Sequence, residues 1–329
     1  MKRRDFIRKG LTLSGATLLS PSVLSARNNG SSPLQSTSRI VIAHDEQVQT
    51  STRSVDSDRV LKMLDNGLQA LYDRDHPLEA WEKVVRQGEV VGLKVNCLSG
   101  RGSTHTELVE AICERLQGVG IKARNIIIWD RFTSDLEDGG FRPMDRGDGV
   151  RCFGNERFGF ESDLEMYGSA ASLVCKTLTK DCDAVINLPV LRDHSIAGVT
   201  ISMKNMFGVI HNPNKYHLQV GDPYIPDVNM LPSIREKIRL TICDAITAQY
   251  EGGPSFMPQW RWSFNGLIIG KDPVALDYTG WQIIERKRSQ MGIKSLKQAG
   301  REPTYIATAA DADHGLGTND PKRIELLKV

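Results

Sequence analysis

The chain has 329 residues, of which 40% are hydrophobic and 25% charged, a composition typical of a globular protein with a full apolar core. Its formal net charge of +2 argues against a nucleic-acid partner, which a strongly basic surface would indicate. The six cysteines include no C-x-x-C pair, which argues against a ferredoxin-type cluster, and they are too few for a disulfide framework in a chain of this length. A single bridge between Cys175 and Cys182 stays open, and buried free thiols are the alternative.

Residues 1–26 have the layout of an export signal. A basic stretch with the pair Arg3-Arg4 precedes the moderately apolar run LTLSGATLLS, and small residues follow near position 26. The adjacent arginines resemble a twin-arginine signal, which predicts a periplasmic or otherwise exported protein that engages the twin-arginine export machinery. The apolar run is too short to span a bilayer comfortably, so we expect no stable membrane anchor after cleavage. A basic tail on a cytosolic protein is the alternative.

After a polar, turn-rich stretch at 27–38, which predicts a flexible leader, short β-branched runs alternate with helical patterns. Residues 131–165, rich in glycine and charge, predict a lid-like loop over the sheet. The predicted strands cover residues 39–45, 89–96, 125–130, 183–189, 240–246 and 265–272. The predicted helices cover residues 57–73, 103–120, 168–180 and 272–287. Asp272 is expected to cap the last helix, with Pro273 in its first turn.

This alternation predicts the fold class. Runs that are apolar on both faces and alternate with helices indicate an α/β fold, a mostly parallel sheet with helices on both faces in three layers. The sequence contains no internal repeat and no clear linker after residue 38. We therefore expect residues 39–329 to form a single domain.

Polar side chains follow most of the predicted strands. Asn96, Asp130, Asn187 and Asp244 each come at or near the end of a strand, and Lys271-Asp272 follows the sixth. Because the carboxyl ends of parallel strands meet at one edge of a sheet, these groups predict a ligand site there. Turn and cap chemistry would explain any one of them alone, but the set favours a functional edge.

The loop 99–107, SGRGSTHTE, places two glycines before a predicted helix and resembles an anion cradle. It matches neither of the common glycine-rich phosphate motifs, so the indication of phosphate is weak. Thr104 and Glu107 have capping-box spacing. We include Thr104 and His105 among the candidate ligand-binding residues, with a cover for the helix end as the alternative role of His105.

The segment 194–211, HSIAGVTISMKNMFGVIH, combines apolar character with a lysine. If residues 197–210 are helical, apolar residues surround most of the turn, which is typical of a buried helix. A buried lysine is paired with a carboxylate or tuned for function, so Lys204 is a candidate catalytic residue together with His194 and Asp244. Asn205 is a candidate ligand-binding residue. The alternative is that the lysine extends to the surface.

The histidines of this region suggest a metal. His194, His211 and His217, with Asp130 or Asp244, are candidate ligands for a divalent cation, although their spacing matches no standard metal motif. A surface loop rich in asparagine and proline is the alternative for residues 211–217.

The quoted segments resemble the family catalogued as domain of unknown function 362 over about residues 85–285. The most specific piece is N-L-P-x-L-x-x-H-x-x-x-G-V-T-x-x-x-K-N, which this chain matches from Asn187 to Asn205. Many members carry cysteine-rich ferredoxin-type segments that this chain lacks. The resemblance implies a fold and a site but no reaction.

Two functions stay open at this point. The first is an exported enzyme that acts on a small anionic or carbonyl-bearing ligand, with or without a metal, in which Lys204 is a cation, a base or an amine nucleophile. The second is a periplasmic protein that binds a small ligand or cofactor without catalysis. A redox accessory protein is a weaker third alternative.

Overall fold

A computed structural model describes residues 37–51 and 54–329, and Ser36–Val329 form one compact unit. The predicted signal, 1–26, and nearly all of the predicted leader lie outside the described residues. The strands are β1 (Ser38–His44), β2 (Gln49–Ser51), β3 (Ser54–Val55), β4 (Val91–Lys94), β5 (Ile126–Asp130), β6 (Arg151–Gly154), β7 (Glu165–Tyr167), β8 (Ala170–Ser172), β9 (Ala184–Asn187), β10 (Val190–His194), β11 (Gly198–Thr200), β12 (Ile238–Gln249), β13 (Arg261–Gly270) and β14 (Ile324–Lys328).

Helices of very different lengths connect these strands. The α-helices are α1 (Ser57–Tyr72), α2 (Pro77–Trp81), α3 (Thr106–Gly118), α4 (Thr133–Asp138), α5 (Ser202–Asn205), α6 (Tyr224–Asn229), α7 (Pro232–Lys237), α8 (Pro273–Gln290) and α9 (Tyr305–Ala309). Single 3-10 turns lie at Gly100–Gly102, Ala123–Asn125, Asn155–Arg157, Met206–Val209, Pro213–Tyr216, Leu218–Gly221, Pro258–Trp260 and Pro321–Arg323, and a π-helical turn at Thr177–Asp181. Among the described residues no helix combines the length and hydropathy that a membrane span requires.

The main sheet has the strand order β14-β1-β13-β12-β9-β4-β5-β6. From β12 to β6 every neighbouring pair is parallel, whereas β13 runs antiparallel to both β1 and β12. The long β12 pairs with β9 near its start and with β10 near its end, and β10 continues into the antiparallel β11. The predicted mostly parallel α/β sheet is confirmed.

Side chains alternate between two apolar cores, one on each face of the sheet. In β1, Ile40 and Ile42 belong to one core, and Val41 and Ala43 belong to the other. The buried faces of α1 and α3 pack in the second core, and that of α8 packs in the first. The sheet is therefore the middle of three layers, as the two-sided apolar strands predicted.

Several local predictions were right and others were wrong. Asp272 caps α8 by accepting from the N–H groups of Val274 and Ala275, as predicted. Residues 168–180, predicted as a helix, instead contain β8 and the π-helical turn. Part of the predicted lid, β6, is a strand of the main sheet. Since β13 is antiparallel, Lys271-Asp272 lie at the opposite edge of the sheet from the ends of β4 and β5.

Candidate functional site

A cavity of about 390 Å³ lies where β4 and β5 end. Lys94 and Asp130, the last residues of these strands, line it together with the β10–β11 hairpin and the segment around α5. Six of the predicted site residues line this cavity. The ionisable and amide side chains in its lining are those of Lys94, Asn96, Asp130, Arg131, Asp135, Arg192, His194, Lys204, Asn205, Asn214 and His217. The predicted edge of the sheet therefore does contain a concave site.

Lys94 and Asp130 form a buried ion pair in the wall of the cavity, with Nζ 2.6 Å from Oδ1. The other carboxylate oxygen of Asp130 accepts a hydrogen bond from the N–H of Cys97, and Lys94 Nζ also donates to the carbonyl of Val95. Gly208 covers the pair, and a Cβ at this position would lie 2.8 Å from Lys94 Nζ. The sequence requires glycine here because the ion pair occupies the space of a side chain.

Arg192 is fully buried, yet no carboxylate of the described residues pairs with it. Its Nη1 donates to the carbonyl of Pro254 at 3.1 Å and its Nη2 donates to Asn96 Oδ1. The adjacent Asp193 instead pairs with Arg301 at 2.7 Å. Burial lowers the pKa of Arg192 to about 10, although neighbouring carboxylates partly oppose this effect. The guanidinium is therefore a buried cation whose acceptors in the protein are neutral.

Lys204 is the second buried basic side chain of the cavity that pairs with no carboxylate of the described residues. The side chain is 7% exposed, and its Nζ lies 2.9 Å from His217 Nε2 and 4.5 Å from the centroid of the Phe207 ring. Burial lowers the pKa of Lys204 to about 7, and repulsion by the nearby Arg192 adds to the shift. At neutral pH the amine is therefore neutral in roughly half of the molecules.

Neighbouring elements fix the position of Lys204. It lies in α5, a single turn whose N–H groups at Ser202 and Met203 donate to Asp277 of α8, at 2.6 and 3.2 Å. The helix supposed for residues 197–210 does not form, since β11, α5 and a 3-10 turn occupy this range. An apolar run without a polar face indicates that the segment is buried. It does not distinguish a helix from a buried hairpin with short turns, since both are apolar on every side.

His194 and His217 are stacked, with ring centroids 5.4 Å apart. His194 Nδ1 accepts hydrogen bonds from the N–H groups of Ile196 and Ala197, both at 3.1 Å, so the proton of the neutral ring is on Nε2. Burial, followed by repulsion from Lys204, lowers the pKa of His194 to about 2. This histidine is thus a neutral hydrogen-bond donor toward the cavity at physiological pH.

The second ring has the opposite tautomer. Nδ1 of His217 is 3.3 Å from the carbonyl of Asn214 and donates to it, which leaves Nε2 to accept from Lys204. Burial, and then the charge of Lys204, lower the pKa of His217. His217 therefore contributes an acceptor beside the amine.

A row of amide side chains connects the cavity to the middle of the sheet. Asn96 Nδ2 donates to Asn205 Oδ1 at 2.8 Å, and Asn205 Nδ2 donates to Asn187 Oδ1 at 2.7 Å. Asn187 Nδ2 in turn donates to the carbonyl of Ser202 at 2.9 Å. Asn96 and Asn205 line the cavity, whereas Asn187 is behind them, so its predicted ligand contact becomes a supporting role.

The predicted three-histidine metal site is wrong. His211 is exposed and packs edge-on against Phe160 outside the cavity, at 5.2 Å between ring centroids. The unprotonated nitrogens of His194 and His217 already accept hydrogen bonds. Within residues 37–51 and 54–329 no group of three or more His, Cys, Asp or Glu side chains is arranged to hold a metal ion.

Asp244 and His105 form a separate pair that does not line the cavity. Asp244 lies inside β12 rather than at its end, and its Oδ2 accepts from the backbone N–H and from Nδ1 of His105, at 2.7 and 2.8 Å. Although burial opposes it, the carboxylate raises the pKa of His105. Asp244 and His105, predicted as catalytic and ligand-binding residues, therefore do not share the cavity with Lys204.

Thr104 is also internal, and the predicted anion cradle is closed. The Thr104 hydroxyl donates to the carbonyl of Leu188 and accepts from the N–H of Asn96, so it neither caps α3 nor reaches the cavity. In the loop before α3, the N–H groups of Gly102, Ser103 and Thr104 donate to carbonyls of the protein. These groups are therefore occupied and do not form a phosphate site.

The cysteines are all buried and free, so the bridge between Cys175 and Cys182 is not formed. Burial raises the pKa of both thiols, and it raises that of Cys175 to about 12. Cys97, the one thiol near the cavity edge in sequence, is 1% exposed and its pKa is raised well above the ordinary value by burial. None of these three thiols has the low pKa of a reactive cysteine.

Sequence reasoning missed Lys94, Arg192 and Thr200 as site residues. Two of them had a weak signal: Lys94 interrupts the apolar run EVVGLKVN, and Arg192 lies two residues before the histidine of the motif. The structure brings all three into the lining of the cavity beside Lys204. Their charges and hydroxyl dominate the chemistry of the site.

The comparisons with known proteins agree with the motif. The sequence model of the family described as "Domain of unknown function (DUF362)" matches residues 91–282, more than half of the chain. The chain belongs to the DUF362 family. Every residue that lines the cavity lies inside the matched range. The site is therefore part of the domain that defines DUF362.

One curated relative and two solved structures are similar to this DUF362 protein. A thylakoid-associated protein of Synechocystis sp. is 28% identical over 191 residues, which are 54% of this chain and 58% of the relative. The chain thus spans less than two thirds of the relative it matches. A Thermotoga maritima protein (TM-score 0.43) and the lactate racemase apoprotein of Thermoanaerobacterium thermosaccharolyticum (0.42) are each 11% identical. They cover 73% and 76% of this chain, and 61% and 57% of their own chains match.

Proposed function

We propose that this DUF362 protein is an enzyme that acts on a small anionic, carbonyl-bearing ligand, with Lys204 as the reacting amine. The observation that supports this most is the state of that amine. It lines the cavity, it has an imidazole and an aromatic face as its neighbours instead of a carboxylate, and burial lowers its pKa to about 7. An amine that is neutral at physiological pH is a nucleophile or a base.

The contrast with Lys94 supports the assignment. Both lysines line the same cavity, but the Lys94 ammonium is 2.6 Å from Asp130 and also donates to a backbone carbonyl. An opposite charge at hydrogen-bond distance favours the ammonium form. Lys94 is therefore a structural cation, and Lys204 is the amine that is available to a ligand.

The proposed reaction starts with imine formation. The neutral Lys204 nitrogen adds to the carbonyl carbon of the ligand, and the resulting carbinolamine loses its oxygen as water to leave a C=N bond. Both amine protons leave nitrogen in the process and are carried away in that water. His217 Nε2 accepts a hydrogen bond from Nζ at 2.9 Å and is placed to take the first proton and to return it to the carbinolamine oxygen before water leaves.

Borohydride trapping tests the proposal. The full chain is incubated at pH 7.5 with glyoxylate or pyruvate, reduced with sodium borohydride and analysed by peptide mass spectrometry. We expect a stable secondary amine at Lys204, none at Lys94, and none at this peptide in K204A. An adduct spread evenly over surface lysines would contradict the proposal. Saturable binding of these compounds without any adduct would instead make the chain a ligand-binding protein.

We also propose that the protein is exported through the twin-arginine route. The pair Arg3-Arg4 and the following apolar run support this location. Cell fractionation compares the wild type with a variant in which both arginines are replaced by lysine. We expect the wild-type protein outside the cytoplasm and the variant inside it, and equal distributions of the two would refute export by this route.

A further inference from the structure

The β10–β11 hairpin places two unsatisfied polar groups side by side. Arg192 and Thr200 are directly opposite each other in the antiparallel pair, and both side chains line the cavity. Arg192 Nε and Thr200 Oγ1 are buried and have no hydrogen-bond partner in the part of the chain that the structure describes. Buried polar atoms of folded proteins are nearly always paired, so two adjacent exceptions indicate a missing acceptor.

The count of donors gives the character of that acceptor. A guanidinium has five N–H groups, and Arg192 uses one for Pro254 and one for Asn96, which leaves three. The Thr200 hydroxyl adds a fourth donor, and the Nε2–H of His194, on the same hairpin, adds a fifth. A ligand that fits this set is an acceptor with negative charge.

The other buried arginines show what a structural role looks like in this protein. Arg301 pairs with Asp193 at 2.7 Å and with Glu251, and Arg288 also pairs with Glu251. Arg192 is buried to the same degree as Arg288, at 2% exposure, but pairs with no carboxylate among residues 37–51 and 54–329. The protein thus supplies counterions to two buried arginines and leaves Arg192, the buried arginine of the cavity, without one among the described residues.

We propose that Arg192 and Thr200 form a carboxylate-binding subsite, with His194 Nε2 as a third donor, and that the ligand is a small carboxylate. This deepens the proposed function and rests on it, since the carbonyl that reacts with Lys204 would belong to the same molecule. Arginine binds a planar carboxylate through two parallel N–H groups, which fixes the orientation of the ligand.

The surroundings favour a carboxylate over a phosphate. Phosphates are commonly held by free N–H groups at helix N-termini. Near this cavity the N–H groups of Ser202 and Met203 donate to Asp277, and that of His105 donates to Asp244. The free donors of the subsite are therefore side chains that suit two oxygen atoms in a plane.

Calorimetric titration of the full chain with propionate tests the subsite without any carbonyl chemistry. Propionamide, the uncharged analogue, and inorganic phosphate serve as comparison ligands. We expect propionate to bind at least about tenfold more tightly than either, because a hydrogen bond to a charged group is a strong one. Equal affinity for propionate and propionamide, or tighter binding of phosphate, would overturn the proposal.

Variants identify the residues. T200V removes a hydroxyl that has no internal partner, so we expect an unchanged or higher Tm and about tenfold weaker propionate binding, with recovery in T200S. T177V is the matched control, because Thr177 Oγ1 is also buried without a described partner but does not line the cavity. R192M should weaken binding by about a hundredfold. Wild-type affinity in T200V and R192M would refute the subsite.

The two proposals can fail separately. Propionate cannot form an imine, so its dependence on Thr200 and Arg192 reports the subsite alone. Binding with this dependence, but without borohydride adducts from keto acids, would keep the subsite and remove the proposed reaction. Adducts at Lys204 that form equally well in T200V and with uncharged aldehydes would remove the subsite and keep the reaction.

Discussion

Lys94 Nζ lies 2.6 Å from Asp130 Oδ1, and this ion pair shares a cavity with Lys204, which has no such partner. Two lysines in one site thus face opposite electrostatic conditions. The carboxylate stabilises the first ammonium, whereas burial and the charge of Arg192 destabilise the second. The difference separates a lysine that maintains the fold from one that is suited to chemistry, and it can be measured.

The variant K94M should destabilise the protein strongly. It leaves the carboxylate of Asp130, which is 5% exposed, without its cation. Removing one partner of a buried pair typically costs about 3–5 kcal/mol, since the remaining charge stays buried. Urea denaturation at pH 7 measures the loss, and a change below about 1 kcal/mol would show that the pair is not important for stability.

The variant K204M should instead be more stable than the wild type at pH 7. The pKa of Lys204 is lowered from 10.5 to about 7, so between these values the unfolded chain binds more protons than the folded one. Stability from this group therefore rises with pH across that window, by up to about 1.4 kcal/mol per pH unit. The advantage of K204M should be largest at pH 7 and below, and should shrink toward pH 10.5.

Urea denaturation of both proteins from pH 6 to pH 10 measures this difference. K297M is a suitable control, because the Lys297 side chain is 77% exposed in a surface ion pair. Its stability should follow the wild type at every pH. A constant difference between K204M and wild type over the whole range would contradict a lowered pKa at Lys204.

The variant G208A should disturb the ion pair between Lys94 and Asp130, because Gly208 packs directly against it. The added Cβ would lie 2.8 Å from Lys94 Cε and Nζ and 3.1 Å from Asp130 Oδ1. Lys94 cannot move aside without loss, since its Nζ is held by Asp130 and by the Val95 carbonyl. We expect a cost of about 1–3 kcal/mol, as for other overpacked cores. A Tm equal to that of the wild type would show that the segment shifts freely.

Binding of a carboxylate should be coupled to proton uptake. A negative charge between Arg192 and Lys204 would offset burial and raise the pKa of Lys204. At pH 8 the free protein has mostly neutral amine, so binding should take up a fraction of a proton, and at pH 6 almost none. The amine that stays neutral in the complex is the form that reacts with a carbonyl. Calorimetry with propionate in buffers of different ionisation enthalpy measures this uptake, which K204M should abolish.

Much of the fold could be predicted because strands that are buried on both faces have continuous apolar sequences. Runs such as NIIIWD indicate a central strand, and their alternation with helices indicates parallel pairing. The sequence does not indicate strand direction as clearly. The second half of β13 is an apolar run like those of its neighbours, although β13 is antiparallel to them. This reversal moved Lys271-Asp272 away from the predicted edge.

The site could be predicted only in part. Six predicted residues line one cavity: Asn96, Asp130, His194, Lys204, Asn205 and His217. The first five lie at or near a strand end or belong to the motif, whereas His217 lies between two 3-10 turns beyond it. Asp244 was misplaced because β12 continues to Gln249, five residues beyond Asp244 and three beyond the predicted end at 246, so this carboxylate lies within the strand. Arg192 and Thr200 were missed because their importance comes from the partners they lack, which only coordinates reveal.

The hydrogen bonds that run from Arg192 through the row of amides all point in one direction. Each nitrogen faces the oxygen of the next residue, from Asn96 through Asn205 to Asn187, and the serine hydroxyl of residue 202 then meets that of Thr241. Turning one amide over would set two oxygens or two NH₂ groups against each other, and Arg192, which has only donors, requires the oxygen of Asn96 at the start of the row, so the direction is fixed. An anion that neutralises the guanidinium would weaken the polarisation of every dipole behind it. Occupancy of the cavity would thereby change the strength of the hydrogen bonds that reach Thr241 of β12, in the interior of the sheet.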